Sequence, residues 1–149
     1  MPYRSILELL LKFLQRELVV VDVDWLVNRL QALPNFEFRR WFPLDGRFIT
    51  TRRSKFEKLA KAFAEKRVPY IMEIFDCDDF SFHFKAWIAR EHWINAVAVV
   101  IDYGSAHAYN IAFPHDSPPV IIEPQTGDVI EIDRRDTRFY GLKNYFILI

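Results

Sequence analysis

Cys77 is the only cysteine in the chain, in Phe75-Asp76-Cys77-Asp78-Asp79-Phe80, and a strongly helical run begins directly after it. Thirty residues on comes His107, in Gly104-Ser105-Ala106-His107-Ala108-Tyr109-Asn110, and sixteen further comes Glu123, in Ile122-Glu123-Pro124-Gln125. A thiolate is the nucleophilic form of cysteine, and a helix N-terminus favours it through its positive potential and free N–H groups. An imidazole would take the thiol proton and later return it to a leaving group. A third polar group would fix that imidazole's tautomer and orientation. Cys77, His107 and Glu123 are the residue types for those three roles. Each also has a plainer reading: a buried structural thiol, a packed histidine, a strand-ending glutamate before proline. Their joint occurrence in this order favours chemistry.

The acids around the thiol work against it, because Asp76, Asp78 and Asp79 place negative charge beside Cys77 and raise its pKa. A cation would resolve the conflict. Three carboxylates within four residues, with Glu123 and Gln125 carried across by a sheet, offer the hard oxygen donors that suit calcium, with manganese as a competitor. The spacing is not that of an EF-hand loop.

The elements that must position these residues are legible in outline. Ile6, Leu7, Leu10, Leu11 and Leu14 have helical spacing over residues 5–16. Asp22 or Asp24 can cap a second helix that carries Trp25, Leu26, Leu30 and Leu33 and stops before Pro34. Residues 35–51 read as loop plus a short strand. Ser54 and Glu57 match a capping box for a helix running to about Lys66. The nucleophile helix runs from Asp78 to about Trp93. Val97–Ile101, His107–Phe113, Val120–Ile122, Val129–Ile132 and Tyr145–Ile149 read as strands, with a tight turn at Thr126-Gly127-Asp128. Helices first and an antiparallel sheet second make an α+β domain. Its 149 residues form one unit, mostly helical over 1–70, with the nucleophile helix and sheet over 71–149.

A hydrophobic share of 51% is ample for a core. A net charge of zero argues against a nucleic-acid partner, which needs a positive face. One cysteine excludes an intrachain disulfide. Leu9-Leu10-Leu11 is interrupted by Lys12, so neither a secretory leader nor a membrane span is expected, and the expected location is cytoplasmic. The apolar N-terminal helix and C-terminal strand make a homodimer an expectation.

The segments Cys77-Asp78-Asp79-Phe80, Gly104-Ser105-Ala106-His107-Ala108-Tyr109-Asn110 and Ile122-Glu123-Pro124-Gln125-Thr126-Gly127 resemble the C-terminal domain of the Marasmius oreades agglutinin type of fungal chimerolectins. The resemblance covers about residues 70–135. It implies a papain-like cysteine protease fold and a calcium-dependent cysteine peptidase that cleaves a peptide or protein through an acyl-thioester. It further implies Cys77 as nucleophile, His107 as general base and acid, Glu123 as orienting group, and Asp78, Asp79 and Gln125 as metal ligands. Two departures stand out. The N-terminal residues lack the repeats of a β-trefoil, and Ile71 stands where papain-like enzymes place a glutamine six residues before the cysteine. The alternatives are an inactive binding or structural protein on the same scaffold, and an amidase or acyltransferase using the same three residues.

Overall fold

The computed structural model describes residues 17–149 together with Ile6, Glu8, Leu10, Leu11 and Phe13. Those five residues are helical; the rest of the helix expected over 5–16 lies outside the described residues.

From there the chain runs β1 (Val19–Asp22), α1 (Val23–Leu30), β2 (Trp41–Phe42), β3 (Arg47–Thr50), α2 (Arg53–Ala64), α3 (Cys77–His92), β4 (Val97–Asp102), β5 (His107–Ala112), β6 (Val120–Glu123), β7 (Asp128–Glu131) and β8 (Tyr145–Leu148). The protein is α+β, as its sequence indicates. A six-stranded sheet has the order β2-β8-β4-β5-β6-β7, and β1 and β3 form a separate antiparallel pair.

Two expectations need correction. Among the described residues of 1–70, β1, β2 and β3 stand beside the helices, so that part is mixed rather than mostly helical. The main sheet is not purely antiparallel either: Trp41 and Phe42 add a parallel edge alongside Ile147 and Leu148. Both features are pairings between distant segments, which local pattern does not encode.

Alternation along the central strands splits the core in two. Ala98, Val100, Tyr109, Ile111, Ile121 and Ile147 face Leu26 and Leu30 of α1 and Phe48 of β3. Val97, Ala112, Val120 and Ile122 face Phe56, Leu59 and Phe63 of α2 and Phe80, Phe84 and Ile88 of α3. Because both faces are covered, β4 reads as a continuous apolar run.

Helix boundaries follow their caps. Asp22 caps α1 by accepting from the Trp25 N–H at 2.9 Å. At α2 the expected Ser54–Glu57 capping box is not formed. The helix starts two residues earlier, with Arg52 in place of Ser54 as N-cap, the Arg53 N–H is capped from a distant loop by Asp116 at 2.8 Å, and Glu57 instead takes the Arg53 Nε at 2.9 Å. The capping box is at α3, between Asp76 and Asp79. Gly127, at φ +78°, turns β6 into β7 so close to α2 that a Cβ there would stand 3.0 Å from the Ala60 carbonyl and the Lys61 Cα. Among the described residues, no helix is long and apolar enough to cross a membrane.

Candidate active site

Capping by Asp76 makes Cys77 the first residue of α3. α3 lies across β4 and β5, which sets its N-terminus at the end of the sheet where His107 begins β5. Cys77, Asp78, Ile101, Asp102, Tyr103 and the segment 106–108 enclose a pocket of about 280 Å³. The half-buried thiol is held near the N–H of Ala108, the residue after His107. Burial pushes the thiol pKa up, and the Asp76 and Asp78 carboxylates push the same way. The N–H groups of Ala108 and Asp78 pull it down. Burial and the flanking acids thus favour the neutral thiol over the thiolate.

β5 and β6 are neighbours, so the start of one delivers His107 beside the end of the other, which carries Glu123. His107 Nε2 and Glu123 Oε2 are 2.7 Å apart, with side chains only 18% and 7% exposed. This bond commits Nε2 to the carboxylate, and none of the described hydrogen bonds uses Nδ1. Glu123 is further held by the Gln125 N–H at 3.3 Å and by the Tyr140 hydroxyl, which donates to Oε2 at 3.2 Å. The Tyr140 ring lies 5.8 Å from the imidazole ring, so it orients the carboxylate and walls the pair from water. Burial and the nearby carboxylate push the Tyr140 hydroxyl pKa up, so it stays a donor at neutral pH.

Sequence reasoning missed Tyr140 and Asp102. Asp102 is buried and holds the turn that leads into His107. Its Oδ2 accepts from Tyr109 Oη and Leu142 N, each at 2.9 Å, and its Oδ1 accepts from Gly104 N at 3.1 Å. Ser105 Oγ accepts from Gly141 N at 2.8 Å, which ties the same turn to the strap carrying Tyr140. Ala106 then takes φ +50°, a left-handed conformation unusual for alanine, immediately before His107. The only sequence signal was an aspartate closing an apolar strand.

The acids divide into two tasks. Asp76, Cys77 and Asp78 bring ligand atoms within 4.8 Å of one another. Asp76 and Asp78 share a hydrogen bond that holds the Asp76 carboxyl below the usual range and the Asp78 carboxyl above it. Asp79 lies outside that group and accepts from the Asp76 N–H at 3.3 Å as part of the helix cap. Gln125 follows Glu123, with its backbone N–H on that carboxylate. Of the three flanking acids that the sequence offers as hard donors, Asp76 and Asp78 thus lie together beside the thiol, while Asp79 serves the cap.

A family model described as the ricin-type beta-trefoil lectin C-terminal domain matches residues 29–140. No curated protein matches the chain. Among solved structures, a PSL1a-E64 complex matches with a TM-score of 0.68 at 22% identity, covering 87% of this chain and 51% of that one. Polyporus squamosus lectin bound to a human-type influenza-binding epitope matches with a TM-score of 0.65 at 23% identity, covering 87% of this chain and 49% of that one. The chain thus spans about half the length of either structure and shares the fold of that half. With three quarters of its length inside the family model, the chain belongs to the ricin-type beta-trefoil lectin C-terminal domain family.

Proposed function

We propose that this domain is a papain-like thiol hydrolase that cleaves peptide bonds with Cys77 as nucleophile, His107 as general base and acid, and Glu123 as orienting group. The observation that supports this reading is the largely buried 2.7 Å His107–Glu123 pair, whose histidine lines the same pocket as Cys77, the first residue of α3. With Nε2 held by Glu123, Nδ1 is the nitrogen left to take the thiol proton. The sulfur then attacks the carbonyl carbon, and the imidazolium returns its proton to the leaving amine. Water, deprotonated by His107, hydrolyses the acyl-thioester and releases the acid and the free thiol. Backbone N–H groups at the start of α3 are the donors for the developing oxyanion, since Ile71 offers no side-chain donor.

The reading includes a divalent ion. Asp76 and Asp78 share a hydrogen bond because two adjacent carboxylates resist ionising together, and that surplus of negative charge fits a hard cation. Asp78 and Asp76 are its nearest donors, with Asp79 and Gln125 available beside them. Calcium is the first candidate and manganese the second. The ion would supply charge compensation, which favours the thiolate of Cys77. The deciding experiment is cleavage of a denatured protein substrate by wild type and by Cys77→Ala, with and without calcium. Cleavage confined to the wild type supports the proposal, and cleavage that survives the substitution overturns it. An amidase or acyltransferase shares all three residues and is separated by the products found.

A binding role is the second reading. The family is described by its lectins, and one similar structure is titled with a bound glycan epitope, so the comparisons back this reading more directly than the peptidase. The other is titled as a complex with E64. The binding reading requires Cys77 to react slowly with a thiol alkylator, with no dependence on His107.

A further inference from the structure

The face of the six-stranded sheet that carries α3 is only half covered. α3 lies over β4 and β5, while none of the described elements packs over the same face of β8 and β2. Strand register fixes what that bare half displays. Ile101 pairs with Phe146, Val99 pairs with Leu148, and Leu148 pairs with Phe42, so Ile101, Phe146, Leu148 and Phe42 share one face. Tyr103 closes the end nearest Cys77. Its ring meets that of Phe146 edge-on at 5.7 Å, and the Phe42 ring stacks on Phe146 at 6.1 Å. The result is a trough of about 360 Å³ lined by five apolar or aromatic side chains and no charged one. Phe42 and Tyr103, although each meets Phe146 on one side, remain 48% and 64% exposed, so the trough shows a contiguous aromatic surface to solvent among the described residues.

The trough is continuous with the Cys77 pocket, because Ile101 and Tyr103 line both. A chain whose carbonyl carbon sits at the Cys77 sulfur has Ile101 and Tyr103 beside it, since both line that pocket. A charged side chain entering there would lose its water and find no partner. Arg40, whose guanidinium stands 5.9 Å from the Phe146 ring, already donates to the Asn144 side chain.

We infer that the Phe42–Ile101–Tyr103–Phe146–Leu148 trough is the specificity pocket of the Cys77 site, and that the substrates are extended peptides with a large apolar or aromatic side chain near the scissile bond. This rests on the hydrolase reading. It adds a substrate class that the three catalytic groups alone do not determine.

The test is a cleavage profile of a random peptide mixture by mass spectrometry, together with the alkylation rate of Cys77 by iodoacetamide. Both are measured on wild type, Leu148→Arg and Phe146→Ala. One position within four residues of the cut should be enriched in Leu, Phe or Tyr over Gly by about ten-fold or more. Phe146→Ala should reduce that enrichment several-fold, and Leu148→Arg should abolish it or favour acidic residues, while the alkylation rate stays within two-fold of wild type. Normal, His107-dependent alkylation with no enrichment, or with enrichment unchanged in both variants, overturns the trough and leaves the hydrolase standing. Slow alkylation that does not depend on His107 overturns the hydrolase reading and the trough with it. A wild-type dimer by sedimentation that Leu148→Arg converts to monomer, with no enrichment in the profile, assigns the face to a second copy instead.

Discussion

Replacing Glu123 by glutamine separates orientation from charge. The amide keeps the shape of the side chain, and its carbonyl oxygen can still accept from His107 Nε2. What disappears is the negative charge 2.7 Å from the imidazole, in a pair whose side chains are 18% and 7% exposed. That charge matters only once His107 has taken the Cys77 proton and become an imidazolium. A charge-assisted hydrogen bond contributes about 1.5–3 kcal/mol net, below the roughly 4 kcal/mol that two unit charges 4 Å apart would gain at an effective dielectric of 20. The partial exposure of His107 argues for the lower figure. Thiolate formation, and with it the second-order rate of alkylation by iodoacetamide at pH 7, should fall roughly 10- to 150-fold. Tyr140 keeps a partner in the amide oxygen, so the fold should survive, and urea denaturation of the same samples checks that. A Glu123→Gln protein that is fully folded and alkylates within two-fold of wild type would refute the role given to Glu123.

Three further outcomes follow from the same geometry. Gly127→Ala forces a left-handed alanine whose Cβ lies 3.0 Å from α2 backbone, so it should lose about 2–4 kcal/mol in urea denaturation; a loss under 1 kcal/mol contradicts the close approach. Lys85 donates to the Val97 carbonyl at 2.7 Å from a half-buried site, and desolvation lowers its pKa from 10.5 to about 8. Between those values the unfolded chain holds a proton that the folded one has released, so wild-type stability should rise with pH across this window by on the order of 3 kcal/mol; Lys85→Met should flatten that rise and be the more stable protein at pH 7, and a rise that persists in the variant refutes the assignment. Calcium at a hundred-fold excess over its Kd should stabilise the fold by about 2.7 kcal/mol, and Asp78→Asn should weaken that gain; an unchanged melting temperature contradicts the metal.

What the sequence revealed and what it hid divide along the range of the interactions. The start of α3, the five strands from Val97 onward and the turn at Gly127 are set by neighbouring residues, and all were readable. β1 was not, because Val19-Val20-Val21 becomes a strand only when residues 47–50 pair with it. The start of α2 was misplaced because Asp116, sixty-three residues away, supplies the cap that Ser54 was expected to provide. The meeting of His107 with Glu123 was legible only as an order of residue types, and the pairing of β5 with β6 turns that order into a contact. Tyr140 and Asp102 carry no motif at all. Their roles arise where the 140–142 strap meets the turn before His107, a contact that no local pattern announces.

The reaction proposed for Cys77 passes through a covalent acyl-thioester, and that intermediate can be weighed. Protein quenched in acid during turnover of an activated peptide ester, then digested and analysed by mass spectrometry, should show the Cys77 peptide heavier by the acyl group. His107→Ala and Glu123→Gln should show far less of it. Ester turnover with no adduct on Cys77, at a rate Cys77→Ala leaves unchanged, would contradict the account.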